Sequence, residues 1–177
     1  MKKITLFVCA IMASVALSAQ AEKPAASPAS ELIQTVGLTE VTVEYSRPSV
    51  KGRTIFGDLV PFNKIWRTGA NARTKITFDK DVTFGGTAVK AGTYAIFTKP
   101  SATSWEVYLY TEHDAGGTPQ ELDESKVAAK VTSQALKMPM SVETFTIIIG
   151  DLTDTSASFG ILWDTTYVPV KLGVGTK

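Results

Sequence analysis

The sequence predicts an all-β protein: an antiparallel β-sandwich, jelly-roll-like, of about ten short strands with a long ordered loop after the second strand. Three observations predict it. Period-two alternation recurs in Val41, Val43, Tyr45, in Trp105, Val107, Leu109 and in Phe145, Ile147, Ile149, which sets one face of each segment on a core and the other toward water. Turn-forming pairs punctuate the chain at short intervals: Gly85-Gly86, Ala91-Gly92, Lys99-Pro100 and Gly116-Gly117. Long helical periodicity is missing; Glu121 to Leu136 alone competes as a helix, because alanine and charged residues favour one.

Taken in order, Glu31 to Val36 reads as a short first strand, and Gly37-Leu38-Thr39 as a turn into the strand of Val41 to Tyr45. Thr74 to Phe78 and Asp81 to Phe84 are strands; Gly85-Gly86 supplies the positive φ of a hairpin that returns as Thr87 to Val89. Thr93 to Thr98 is nearly all apolar or β-branched and is read as central, closed by Pro100, which cannot donate to a ladder. Trp105, Val107 and Leu109 point to the core, leaving Tyr108 and Tyr110 on an outer face as a platform for sugars or a second packed layer. Lys126 to Ser133 alternates as a strand. Met138-Pro139-Met140 is read as a break, Val142 to Gly150 as a strong strand, and Ser156 to Asp164 with Tyr167 to Val174 as the last pair. The number of strands and the long early loop favour a jelly roll over an immunoglobulin-like order.

The first 21 residues read as a secretory signal: Lys2 and Lys3, an apolar stretch from Ile4 to Leu17, and Ala19-Gln20-Ala21 before cleavage. The expected location is periplasmic or secreted, with no membrane span in the mature chain. Cys9 lies inside the apolar stretch behind bulky Phe7 and Val8, so lipidation is not expected. Residues 22–30 read as a flexible leader and 31–177 as one domain. Removing 21 residues from 177 leaves 156 and no cysteine, so the fold rests on its core and not on disulfides. Dropping Lys2 and Lys3 from the 18 basic residues, against 17 acids, leaves a net charge of −1. A balanced charge of this kind argues against bulk binding to nucleic acid.

Charge is concentrated in the span from Tyr45 to Lys75. Ser46 to Arg73 shows no sustained period, yet Ile55, Phe56, Leu59, Val60, Phe62, Ile65 and Trp66 need burial, so an ordered loop is expected. Seven basic residues (Arg47, Lys51, Arg53, Lys64, Arg67, Arg73, Lys75) stand against Asp58. Trp66-Arg67-Thr68-Gly69-Ala70-Asn71 sets an indole, a guanidinium, a hydroxyl and an amide side by side. A guanidinium forks onto carboxylate, phosphate or sulfate, and an indole stacks on a ring. Arg47, Lys51, Arg53, Trp66, Arg67 and Asn71 are therefore the candidate ligand-binding residues. The competing role is structural: arginines in long loops satisfy the loop's own carbonyls, favoured for Arg47 and Arg53 and evenly balanced for Arg67 and Asn71. Glu112 to Glu124 carries five acids, one histidine (His113) and no Lys or Arg; it reads as a solvated loop able to close over the cationic span. No zinc pattern, phosphate loop or nucleophile elbow is present, and neither metal nor cofactor is expected.

Tyr45-Ser46-Arg47-Pro48, Lys51-Gly52-Arg53, Ile55-Phe56-Gly57, Leu59-Val60-Pro61 and Trp66-Arg67-Thr68-Gly69-Ala70-Asn71, with the hairpin from Asp81 to Tyr94 and Val142-Glu143-Thr144-Phe145, resemble the secreted bacterial family catalogued as domain of unknown function 2911. The resemblance runs from about Glu31 to Leu172. It implies export and a β-rich domain, and it implies no activity. This chain departs from it at Ala72, where family members often carry an acid, which removes the basis for a metal or general base there. Ala115-Gly116-Gly117-Thr118 also replaces an aromatic Trp-Gly-x-Tyr element.

Together these readings predict a non-enzymatic envelope protein whose cationic loop binds a small anionic or carbohydrate ligand. Two rivals are an envelope hydrolase using carboxylates on glycan or peptide, and a purely structural domain whose loop plugs one end of the sandwich. Oligomeric state is not legible.

Overall fold

The computed structural model describes residues 23–175; the expected signal peptide and its expected cleavage point lie outside them. Ten strands form two antiparallel sheets, as the alternation predicts. In chain order they are β1 (Ala29–Val36), β2 (Thr39–Ser46), β3 (Thr74–Phe78), β4 (Val82–Phe84), β5 (Thr87–Val89), β6 (Gly92–Pro100), β7 (Ser104–Tyr110), β8 (Val127–Gln134), β9 (Leu136–Gly150) and β10 (Ser156–Val174). One sheet runs β1-β2-β3-β6-β7-β8 and the other β5-β4-β10-β9. The larger sheet is thus a meander from which the β4–β5 hairpin departs to the opposite layer. Between the sheets lie the alternating residues of both, including Val41, Val43, Ile76, Ile96, Val107 and Leu109 facing Phe145, Phe159, Ile161 and Trp163, all buried. Among the described residues no helix is long and apolar enough to cross a membrane.

Three local readings are corrected. The first strand starts at Ala29, not Glu31, and Pro28 O accepts from Arg47 N at 2.9 Å, so the end of the leader is tied down. Met138-Pro139-Met140 does not end a strand. Pro139 sits in an irregular stretch between the pairs Lys137–Thr166 and Val142–Asp164, where no ladder donor is required. The expected last pair is one strand of 19 residues. It bends at Asp164, whose φ is +49°, and pairs with β9 through its first half and with β4 through Leu172, Gly173 and Val174. Residues 127–134 form the strand that the alternation predicts and not the competing helix; only Glu124–Lys126 makes a single 3-10 turn.

For Tyr108 and Tyr110 the second packed layer is the reading that holds. Neither is a display platform: both are buried, with Ala95 and Phe97, in a second small core against Ile65, Leu122 and Val127. The cover comes from the acidic segment beginning at Glu112, which folds over the outer face of the six-stranded sheet. Arg73, only 8% exposed, holds it there. Its guanidinium donates to Glu112 O (2.5 Å), Gly117 O (3.0 Å) and Gly116 O (3.3 Å) and lies 5.2 Å from the Phe97 ring centre. Lys75 adds an ion pair to Asp114 at 2.8 Å, holding that carboxyl below the usual range. On the same face Glu106 lies between Lys130 (2.6 Å) and Lys99 (3.8 Å) and accepts from Tyr108 Oη (2.8 Å). Burial, then that hydrogen bond, pushes the Tyr108 hydroxyl up to about 12.

Candidate functional site

The loop after β2 is ordered because its backbone completes both sheets. Its first limb covers the free edge of β9: Val50 N donates to Glu143 O and Phe145 N to Pro48 O, each at 2.8 Å. Its last limb extends the line of β3. That strand begins at Thr74 opposite Ile96, so β6 would be bare beyond this point. Trp66 pairs there with Thr98 in both directions (2.7 and 2.9 Å), and Asn63 N donates to Pro100 O at 2.8 Å. Between the limbs, Gly57 N to Val60 O and Val60 N to Ile55 O close a tight turn that buries Ile55 and Val60.

Trp66 anchors the loop in an aromatic cluster. Its ring stacks on Trp163 (centres 5.8 Å apart, planes 16° apart) and meets Phe56, Trp105 and Phe145 edge-on. Its Nε1 donates to Gly69 O at 3.1 Å. The chain then passes through unusual backbone: Thr68, β-branched and fully buried, has φ +55°, Gly69 +149° and Asn71 +58°. A Cβ at Gly69 would come within 3.0 Å of Thr74 Oγ1 and 3.1 Å of Ser46 O. Thr68 Oγ1 lies 3.2 Å from Thr98 Oγ1, and Thr74 Oγ1 donates to Thr68 O at 2.6 Å, which pins the turn. Strained backbone of this kind, roughly 1–3 kcal/mol per residue, persists only where surroundings over-determine it, and it clusters at ligand sites.

Five of the six candidate residues surround one cavity of about 460 Å³. Lys51, Arg53, Trp66, Arg67 and Asn71 line it; Arg47 does not. Arg47 instead crosses to β9, with Nε donating to Phe145 O (3.0 Å) and Nη2 to Thr146 Oγ1 (2.8 Å). Arg53 donates Nε to Val50 O (3.0 Å) and Nη2 to Ser49 O (2.5 Å). Arg67 donates Nη1 to Asn71 O (2.6 Å). Asn71 Nδ2 donates to Ser27 O (3.1 Å) and approaches Ser46 Oγ (3.4 Å). Each of these arginines therefore holds backbone or a neighbouring side chain, as the structural reading expects, yet the cavity the binding reading needs is also present. Among the described residues, none of Arg47, Lys51, Arg53 and Arg67 forms an ion pair; of the seven cationic side chains in the span only that of Lys75 pairs with a carboxylate, while Glu143 Oε1 accepts from the backbone N of Lys51 at 2.9 Å.

Sequence reasoning missed the rest of the wall. Pro48, Leu59, Val60 and Ile65 supply its apolar part, and Ser27, Thr118 and Trp163 come from the leader, the acidic segment and β10. Nothing local in the sequence marks the last three, which arrive by tertiary folding. Trp163 Nε1 is buried with no acceptor among the described residues. The acidic pairs needed for glycoside chemistry are not among the lining residues, and no group of three or more His, Cys, Asp or Glu among the described residues could hold a metal ion.

The fold and site define an all-β sandwich with a cationic cavity beneath an ordered loop that joins its two sheets. The chain belongs to the family described as "Protein of unknown function (DUF2911)", whose model matches residues 27–172. Neither the search of curated proteins nor that of solved structures returned a match.

Proposed function

We propose that this protein is a non-enzymatic exported β-sandwich that holds a small anionic or carbohydrate ligand in the cavity beside Trp66, within the cell envelope. One observation carries the reading: the side chains of Lys51, Arg53 and Arg67 converge on one concave wall lined by no acid, and none of these side chains pairs with a carboxylate among the described residues, Glu143 Oε1 meeting Lys51 only at its backbone N (2.9 Å). Positive groups gathered in a low-dielectric recess raise the local concentration of anions. The size is within the roughly 300–1,000 Å³ usual for small-molecule sites. The signal-like first 21 residues support export.

The test is calorimetric titration of the chain from residue 22 onward with glucuronate, N-acetylneuraminate, inorganic phosphate and glucose. Saturable binding to at least one of them, weakened tenfold or more in Arg67→Ala with the circular dichroism unchanged, is the expected result. A charge-assisted hydrogen bond is worth about 1.5–3 kcal/mol, which sets that scale. Equal binding by the variant removes the site.

A structural role is the second reading, favoured by the carbonyl bonds of Arg53 and Arg67. It expects the same variant to lose stability and to have no ligand to lose.

A further inference from the structure

We infer that the cavity selects a carboxylate attached to an apolar body, with Arg67 as the fork that grips the carboxylate. The inference rests on the proposed binding role of this cavity and narrows its ligand class.

The three guanidiniums of the loop's candidate residues differ in which of their nitrogens remain uncommitted. The Nε–H and one Nη2–H of an arginine point the same way and make the side-on fork that matches the two oxygens of a carboxylate. In Arg47 that fork is closed by Phe145 O and Thr146 Oγ1, and in Arg53 by Val50 O and Ser49 O. In Arg67 the bond to Asn71 O uses Nη1 alone, leaving Nε and Nη2 without partners among the described residues. Arg67 lines the cavity and is held at its far nitrogen, so its fork is fixed before a ligand arrives. A bidentate acceptor gains from that pre-organisation.

The remainder of the wall decides what the anion is attached to. Lys51, Arg53 and Arg67 are donors only, and the Asn71 amide nitrogen is already engaged. A neutral sugar can use the hydroxyls of Ser27, Ser49 and Thr118 and the Asn71 Oδ1, but it offers the three cations no charge to neutralise. A bare inorganic anion would use the cations and leave Pro48, Leu59, Val60, Ile65 and Trp66 facing nothing. A compact apolar body fills that side, and burial of Leu59, 44% exposed at the rim, adds to affinity.

The experiment is titration of the chain from residue 22 onward with indole-3-acetate and octanoate, each against its uncharged amide, together with glucuronate, inorganic phosphate and glucose. The expected result is binding of the apolar carboxylates at least tenfold tighter than of their amides and than of phosphate. Arg67→Lys, which keeps the charge and removes the fork, should weaken the carboxylates tenfold or more, while Lys137→Ala on the far part of β9 should leave them unchanged. Amides that bind as tightly as acids overturn the inference. So does a site that takes glucuronate or phosphate in preference to the apolar acids, although the broader binding role then stands. If no probe binds, both fall. The acid–amide comparison uses the unaltered chain, so it decides the matter even if Arg67→Lys fails to fold.

Discussion

Replacing Arg73 by alanine should release the acidic segment from the outer face of the large sheet. The guanidinium makes two short bonds, to Glu112 O at 2.5 Å and Gly117 O at 3.0 Å, and a longer one to Gly116 O at 3.3 Å. Bonds to a charged donor are worth about 1.5–3 kcal/mol each, and the face of Phe97 adds ~0.5–1 kcal/mol. The freed carbonyls can turn to water once the segment lifts, which offsets roughly half of this. A loss of about 3 kcal/mol is expected, and for a domain of this size that lowers Tm by ~6–12 °C. Arg73→Lys should recover less than half, because one ammonium cannot span three carbonyls. Urea denaturation measures the loss, and amide hydrogen exchange over residues 112–122 shows where it acts. A change under ~0.5 kcal/mol with that segment still protected would refute the clamp, since so small a change is typical of ordinary surface substitutions.

Gly69→Ala should destabilise by about 2 kcal/mol, because φ +149° disfavours a side chain and Thr74 Oγ1 stands 3.0 Å from the new methyl; thermal unfolding that matches the parent would contradict it. Tyr108 should titrate late, near pH 12, when tyrosinate absorbance is followed against pH, and Tyr108→Phe should remove that last phenol. Its folded value is raised, so its contribution to stability is complete below the ordinary tyrosine value near 10 and disappears as pH rises through about 12. A full tyrosine titration finished by about pH 11 in the folded protein would contradict the burial of Tyr108.

Much of the sandwich was legible from alternation. Thr74–Phe78 falls where its alternation predicts it, and Thr87–Val89 where the Gly85-Gly86 turn predicts a returning hairpin strand. The open and mistaken readings have a common cause. Tyr108 and Tyr110 alternate with core residues and carry polar tips, so a display platform and a second packed layer read equally well; what decides it is a covering segment beyond the end of their own strand, which no local period reveals. Pro139 and Asp164 look like stops but mark a bulge and a bend within long strands, where tertiary pairing overrides local propensity. In the site, the residue types were readable and their allegiances were not. Arg47 and Arg67 are alike in sequence, yet Arg47 meets a carbonyl on a strand 98 residues away while Arg67 turns back on its own loop.

The structural and binding roles of these arginines are not exclusive, because a carbonyl and a carboxylate do different things to a guanidinium. A carbonyl fixes its direction and leaves its unit charge unneutralised; a carboxylate fixes its direction and neutralises the charge. A loop whose cations needed only to be held could use either, but here the charged groups of Lys51, Arg53 and Arg67 form no ion pair among the described residues, and Glu143 Oε1 reaches Lys51 only at its backbone N (2.9 Å). This arrangement yields a fixed positive recess, and it can be cancelled without touching any of the holding bonds. Leu59 is exposed at the cavity wall, and its aliphatic side chain takes no part in the holding bonds. Leu59→Glu would set an internal carboxylate among the cations. Stability should change by less than ~0.5 kcal/mol, as for other exposed positions, while affinity for any anionic ligand should fall tenfold or more. Leu59→Gln, with the same shape and no charge, should lose far less. Equal anion affinity in the Glu and Gln variants would show that the positive recess plays no part in binding, and the cations of this loop would then be fasteners alone.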